Sequence, residues 1–409
     1  MPDVLVLGAG MVGVSTALAL QAQGQEVILV DRTSPGRETS YGNAGLIQAE
    51  AAEPYAFPRD LASLLRTIFK RGNDVNYHLD ALSDQWRPLW GYFRASAPAR
   101  HEAISRSYAK LTRRSTADHA PLIAAAGAEN LIRRDGFRKV FRSTSEFEHG
   151  AAHAERVSRQ YDLALRVMNS AELAAAEPAL KITCAGACHW LDSWSCIDPG
   201  GLTQAYADLF VARGGRVQTA DAGSLQQDGR MWSVGVSWGR LAARHAVVAL
   251  GPWSPLLLEK LGYRIPLLRK RGYHRHYKGG DALNLPMLDV ENGTALSPMT
   301  AGFRVLTGAE IARLDAPPTP VQMVRAEKAA RELLNLGEPV EAEPWLGTRP
   351  CMPDMLPLVG AAPRHEGLWF HFGHGHQGFT LGPTTAALLA EEMQTARAPM
   401  PELSPRRLS

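Results

Sequence analysis

The sequence predicts an α/β protein of two domains: a Rossmann-like nucleotide-binding domain and a second, α+β domain on a mixed or antiparallel sheet. Three observations predict it. An apolar run, Val4-Leu5-Val6-Leu7, leads into Gly8-Ala9-Gly10-Met11-Val12-Gly13, and a second run, Val27-Ile28-Leu29-Val30, stops at Asp31. Between Arg264 and Leu314 the pattern changes to short strands separated by turns, as in a sheet of separate origin. The length, 409 residues, exceeds what one hydrophobic core comfortably serves.

Each part of the N-terminal segment has a physical role. Continuous apolar runs fit strands buried on both faces. Gly8 permits a tight turn, Gly10 lets the backbone approach a pyrophosphate, and Gly13 lets a helix pack closely on the strand. The helix carries Val14, Ala17, Leu18 and Leu20 and ends near Gly24. Its first turn, at Met11 and Val12, offers unpaired amides and a partial positive charge to phosphates. Asp31, followed by Arg32, stands where a carboxylate accepts ribose hydroxyls. A glycine-rich turn with no ligand leaves Asp31 unexplained. Next comes a hydroxyl- and glycine-rich stretch, Glu38-Thr39-Ser40-Tyr41-Gly42-Asn43-Ala44-Gly45-Leu46-Ile47. Such a loop can fold over a pyrophosphate through backbone amides. A nicotinamide-dependent dehydrogenase would instead run here into a third strand, and a plain surface turn is the other reading.

The ordered set Gly8-x-Gly10-x-x-Gly13, Asp31 and Ser40-x-x-Asn43-Ala44-Gly45 resembles the D-amino-acid oxidase-like FAD superfamily. The nearest likeness is to bacterial D-amino-acid dehydrogenases, with glycine oxidase and monomeric sarcosine oxidase further off. Glu is commoner in the family where Asp31 stands. The resemblance implies FAD as cofactor and a discontinuous cofactor domain: residues 1–55, 196–260 and 343–399 bind FAD, while 56–195 and 261–342 form the substrate domain. It also implies that Ser40, Asn43, Ala44, Gly45 and Leu46 contact the cofactor.

From about Tyr55 to Ala128 the chain reads as helical. The aromatic cluster Trp86-Arg87-Pro88-Leu89-Trp90-Gly91-Tyr92-Phe93-Arg94 is expected to fill core or a domain contact; a lid, or a contact with a membrane electron acceptor, is the alternative. Two short runs around Asp135-Gly136 suggest a hairpin, and Ser143-x-x-Glu146 fits a capping box. Leu202 to Ala212 reads as a helix ended by Gly214-Gly215. Ala246-Val247-Val248-Ala249-Leu250-Gly251-Pro252-Trp253-Ser254 reads as a buried strand and turn. By the resemblance it returns to the FAD, with Gly251 and Trp253 as neighbours, although the family more often has Ala at Pro252. Pro317-Pro318-Thr319-Pro320 stiffens the entry to a helix from about Val321 to Leu336.

The second informative segment runs from Gly347 to Gly360, where three prolines restrict the backbone and fix Arg349. A planar guanidinium suits a carboxylate gripped through two parallel hydrogen bonds; an ion pair tying the strand down is the alternative. The resemblance implies that Arg349 binds the substrate carboxylate. Then Leu368-Trp369-Phe370-His371-Phe372 forms a strand, Gly373 to Thr380 a glycine-rich turn, and a helix follows Pro383. The turn allows close approach to a flavin, and the resemblance makes Gly375, Gly378, Phe379 and Thr380 cofactor contacts. His376 stands where glycine oxidase has a further arginine, and Thr380 where sarcosine oxidase has a substrate-binding lysine, so substrate choice does not carry over. His374 and His376 read as pocket walls or as structural histidines. Some relatives attach flavin covalently through a cysteine nearby. Cys351 is out of register with it, which favours non-covalent FAD.

Composition bounds the partners. A formal charge of +3, from 44 basic and 41 acidic residues, gives no nucleic-acid footprint. Arg113-Arg114, Arg133-Arg134 and Arg269-Lys270-Arg271 read as solvated surface, with a peripheral membrane contact as the sharper alternative. Four cysteines imply no disulfide framework, and the spacing of Cys184, Cys188 and Cys196 fits no metal site. Mean hydropathy is −0.17, no apolar run has membrane-spanning length, and the absence of a cationic leader points to the cytoplasm. The implied activity is oxidation of the C–N bond of a small amine or amino acid, a D-amino acid for preference. Hydride passes from Cα to flavin N5 and the resulting imine hydrolyses. Dioxygen, a quinone or a protein carrier would accept the electrons. A nicotinamide-dependent dehydrogenase and a flavin-binding protein without amine-oxidising activity are the competing readings.

Overall fold

The computed structural model describes residues 2–69 and 72–408. A six-stranded sheet is assembled from distant parts of the chain, in the order Arg216–Thr219, Val27–Asp31, Val4–Leu7, His245–Val248, Leu368–Phe372, Leu358–Ala361. All neighbours are parallel except the last pair. Alternate residues along its strands serve different cores. Val4, Val6, Val27 and Leu29 pack with the helices Met11–Ala22 and Gly378–Thr395 on one face. Leu5, Leu7, Ile28 and Val30 pack on the other face with Trp232, Val234, Leu257 and Leu258. Burial on both faces is the reason the strands are apolar without alternation.

The second sheet has eleven strands and is mixed, built around the long strand Leu268–Gly279. That strand pairs antiparallel with Gly302–Leu306 and with Trp345–Cys351. Parallel pairs join Met287–Asp289 to Phe137–Phe141, and Ala309–Ile311 to Val75–Tyr77. Arg271 is 1% exposed and is neutralised by Glu310 at 2.6 Å, to which Tyr273 also donates at 2.9 Å. Burial of this pair with its hydrogen bonds complete avoids the cost of an uncompensated interior charge.

Several sequence expectations shift. Trp345–Cys351 belongs to the large sheet, so the return to the nucleotide domain comes after 351 rather than at 343. The helices Pro98–Thr112 and Ser115–Ala125 pack on Gly378–Thr395 and put Tyr108, Leu111 and Ile123 into the same core as Val4. Residues 98–128 therefore sit with the nucleotide domain, because they cover that helix's outer face. The hairpin at Asp135-Gly136 does not form: Ile132–Arg133 pairs with Trp194–Cys196, and Phe137–Phe141 joins the large sheet. Ser143 makes no helix cap and gives its hydroxyl to Glu291; the capping box lies at Asn169 and Glu172. The helix after Pro320 stops at Leu333, since Gly337–Pro339 pairs with the long strand. The aromatic cluster is core only in part: Tyr92 and Leu89 pack with Ala81, Leu268 and Ile311, whereas Trp86 and Trp90 are each 56% exposed.

The C-terminal helix begins at Gly378, five residues before Pro383 rather than after it. Proline has no N–H, so the carbonyl four residues earlier, that of Phe379, lacks its helical donor. His119 supplies it: Nε2–H donates to Phe379 O at 3.0 Å, while Nδ1 accepts the Tyr206 hydroxyl at 2.9 Å. Burial pushes the His119 pKa down to about 4, against an unfolded value near 6.5. The unfolded chain therefore binds more protons in that window, and stability is full above pH 6.5 and falls as pH drops toward 4. His119→Phe should cost ~1–3 kcal/mol at pH 7, because a buried carbonyl loses its donor. It should also weaken the acid dependence of the melting temperature between pH 6.5 and 4. Wild-type stability in the variant at pH 7 would contradict this account.

Candidate cofactor and substrate site

One continuous cavity of about 1280 Å³ runs from the first glycine turn to the face of the large sheet. That exceeds the ~300–1,000 Å³ of an ordinary small-ligand cleft and suits a dinucleotide with a substrate beside it. At its nucleotide end the residues fit FAD. Gly8 has φ +106°, and a Cβ there would lie 2.5 Å from Ala249 O. A Cβ on Gly13 would meet Gly8 O at 1.8 Å. Only glycines let strand, turn and helix approach this closely, which leaves the helix N-terminus bare for phosphate. Ser40 Oγ accepts from Met11 N at 2.9 Å at that terminus. Asp31 is oriented by Ala9 N at 2.6 Å and Thr33 N at 3.1 Å. Arg32 bonds Glu38 and lies 4.4 Å over the Trp253 ring, which closes this end of the cavity.

The loop carrying Ser40 to Leu46 is pinned from the other domain. Asn43 Oδ1 accepts the amides of Gly45 and Leu46 at 2.8 and 3.2 Å. Arg304, 2% exposed, donates to the carbonyls of Tyr41 and Asn43 at 2.9 and 2.6 Å. Ser297 donates to Ala44 O at 2.9 Å. Trp345 lies against Gly42 so closely that a Cβ there would overlap its ring. Residues of the large sheet therefore set the shape of this loop.

Of the residues singled out from sequence, Gly8, Gly10, Met11, Val12, Asp31, Arg32, Ser40, Asn43, Ala44, Leu46, Gly251, Trp253, Arg349, Gly375, His376, Gly378 and Phe379 line this cavity. Gly13, Gly45 and Thr380 stand behind it. Gly45 passes against Cys196 O, and Thr380 Oγ1 ties the C-terminal helix to the loop by donating to Leu46 O at 3.2 Å and accepting Gln48 N at 3.3 Å. His374 is buried and shares Thr385 Oγ1 with His371, which also meets Thr16 Oγ1 at 2.6 Å. His371 thereby crosslinks the strand Leu368–Phe372 to both flanking helices, and both histidines also line the cavity.

At the substrate end, Arg349 Nη1 donates to Gly308 O at 2.9 Å and Nη2 to Thr307 O at 3.3 Å. Its guanidinium lies over Gly272, where any Cβ would come within 2.6 Å of Nη2. No carboxylate lies within ion-pair distance of it among the described residues. His376 faces it across the cavity beside Tyr55, with ring centroids 5.3 Å apart. Burial, then the nearby Arg349 and Lys270 charges, push the His376 pKa down to about 3, so the ring is neutral. Cys351 also lines the cavity, and burial raises its thiol pKa.

Sequence reasoning missed Asp221, Ala222 and Gly223 at the nucleotide end, and Tyr55, Lys270 and Trp345 at the substrate end. From sequence, Lys270 reads with Arg269 and Arg271 as solvated surface. The strand's alternation instead sends Arg271 into the sheet's far side and Lys270 into the cavity. A period-two reading of Leu268-Lys270-Gly272 was the available signal.

Residues 3–392 match the family model described as FAD dependent oxidoreductase, DAO. The D-amino acid dehydrogenase of Paramagnetospirillum magneticum is 32% identical over 403 residues, covering 95% of this chain and 94% of that protein. The D-amino acid dehydrogenase of Chromohalobacter salexigens is 30% identical over 410 residues, covering 97% and 96%. The crystal structure of glycine oxidase from Geobacillus kaustophilus superposes with a TM-score of 0.71 at 19% identity, covering 98% of each chain. The match sets aside the nicotinamide reading. A glycine cradle for a dinucleotide, joined by one cavity to a sheet-borne arginine, is thus found in a chain that belongs to the DAO family of FAD-dependent oxidoreductases.

Proposed function

We propose that this protein oxidises the C–N bond of a small amino acid, a D-amino acid for preference, held by its carboxylate on Arg349. The observation that carries the reading is a guanidinium facing the cavity, fixed by two main-chain carbonyls and lacking a carboxylate partner. A buried cation without a counter-ion is costly and is relieved by a carboxylate gripped through two parallel bonds. The D-amino acid is suggested by the names of the sequence relatives. Bound FAD supplies the electron sink for a hydride leaving Cα. The chain's own part is to orient the substrate and exclude water. His376 is a wall and hydrogen-bonding group rather than a base. Burial holds its imidazole far below the usual histidine range, which makes it a poor acceptor for a proton from the substrate's α-ammonium. Protonation of the Cys351 thiol, favoured by burial, makes it a poor nucleophile and supports non-covalent FAD. Arg349→Ala should remain yellow with one FAD bound, while kcat/KM for D-amino acids falls by on the order of 10²-fold or more. Unchanged saturation behaviour in that variant would remove Arg349 from the role.

The segment from Tyr55 to Phe93 bears on the electron acceptor, and we infer one at a membrane surface, a quinone for preference. Leu61 and Leu79 are 72% and 76% exposed, and Phe69, Trp86 and Trp90 are also largely bare. Tyr55 and Ile68 are at once exposed and part of the cavity lining, so this apolar patch rims the opening. Arg59, Arg87 and Arg94 stand exposed within it, the combination that binds anionic bilayers. No helix among the described residues is long and apolar enough to cross a membrane, which leaves surface contact. Holoprotein should co-sediment with vesicles containing phosphatidylglycerol, and Trp86→Ala with Trp90→Ala together should lower that partition by roughly tenfold. Equal partition of the double variant, or none by the wild type, would contradict a membrane acceptor.

A further inference from the structure

The strands Leu268–Gly279 and Trp345–Cys351 run antiparallel with Leu268 opposite Cys351, Lys270 opposite Arg349, and Gly272 opposite Gly347. Residues directly opposite share a face, with Cβ atoms ~4.5–5.5 Å apart. All six of these residues line the cavity. The flanking bases point to the other side of the sheet and have acidic neighbours there: Arg271 meets Glu310 at 2.6 Å, and Arg269 lies 3.9 Å from Asp84. Lys270 has neither. Its ammonium sits 4.1 Å over the Tyr92 ring. Beside it in the cavity are Arg349 and Cys351 of the adjacent strand, with His376 near them, none of them an anion at neutral pH. One rung of the sheet therefore presents two cations to the substrate space, and no carboxylate among the described residues forms an ion pair with either.

From this juxtaposition we propose that the substrate is a dicarboxylic amino acid, of the aspartate or glutamate type, whose side-chain carboxylate is selected by Lys270 while Arg349 holds the α-carboxylate. The proposal rests on the reading of Arg349 above. Like charges on one rung repel, and a monocarboxylate engaged by the Arg349 fork leaves the second cation uncompensated in a site of low dielectric. A second anionic group on a short side chain removes that cost. A compact ammonium on a flexible stem suits a carboxylate of varied reach, whereas the planar fork suits the invariant one.

The test compares ligands that differ by one carboxylate. Flavin absorbance of the holoprotein is titrated with succinate and with propionate, neither of which has an amine to oxidise. Succinate should bind on the order of tenfold more tightly or better. Lys270→Met should bring the ratio of the two affinities close to one, mainly by weakening succinate, and Lys270→Arg should retain most of it. In anaerobic bleaching, wild-type kcat/KM for D-aspartate should exceed that for D-alanine, and Lys270→Met should reverse the order. Equal affinities in the wild type, or equal weakening of both acids by Lys270→Met, would overturn the proposal while leaving amino-acid oxidation intact. If neither acid perturbs the flavin and neither amino acid bleaches it, the reading of Arg349 fails and the selection by Lys270 falls with it.

Discussion

A guanidinium held by main-chain carbonyls, with no acid to balance it, is the constraint on which the account depends. Arg349 could have been neutralised within the sheet, as Arg271, one residue beyond its partner Lys270 on the neighbouring strand, is by Glu310. It is instead turned to the other face, over a glycine that leaves room for its head. The carbonyls of Thr307 and Gly308 fix its direction without cancelling its charge. Such an arrangement pays a desolvation cost that only a bound anion recovers.

The cofactor end depends on a different constraint, close approach. The strand, turn and helix around Gly8 to Gly13 are so tight that side chains there would collide with backbone. The loop covering this end takes its shape from Arg304, Ser297 and Trp345, all from the large sheet. The two ends are therefore mechanically joined: the sheet that carries Arg349 also sets the loop beside the glycine turn. Arg349 and the glycine turn are brought to one cavity by that shared support.

What could be read from the sequence follows from how local each constraint is. Gly8, Gly13 and Asp31 act within one strand–helix–strand unit, so their pattern is visible in a short window. The doubly buried strands announce themselves as unbroken apolar runs. Arg349 is marked by the prolines around it. The contacts that were missed cross the chain: His119 serves a carbonyl 260 residues away, and Ser143 answers to Glu291 rather than to its own helix. Lys270 belongs to the site only because a strand from elsewhere sets Arg349 beside it. The exposed Trp86 and Trp90 illustrate the converse, since aromatic clustering does not say which face of a helix will find a partner.

The central claim is that Arg349 and the glycine cradle serve one catalytic space. A crystal structure of the holoprotein soaked with propionate examines it most directly. The account predicts the carboxylate paired with both terminal nitrogens of Arg349 and the propionate chain lying against the isoalloxazine ring. A flavin ring placed away from Arg349, or a carboxylate bound at another group with Arg349 left free, would contradict it.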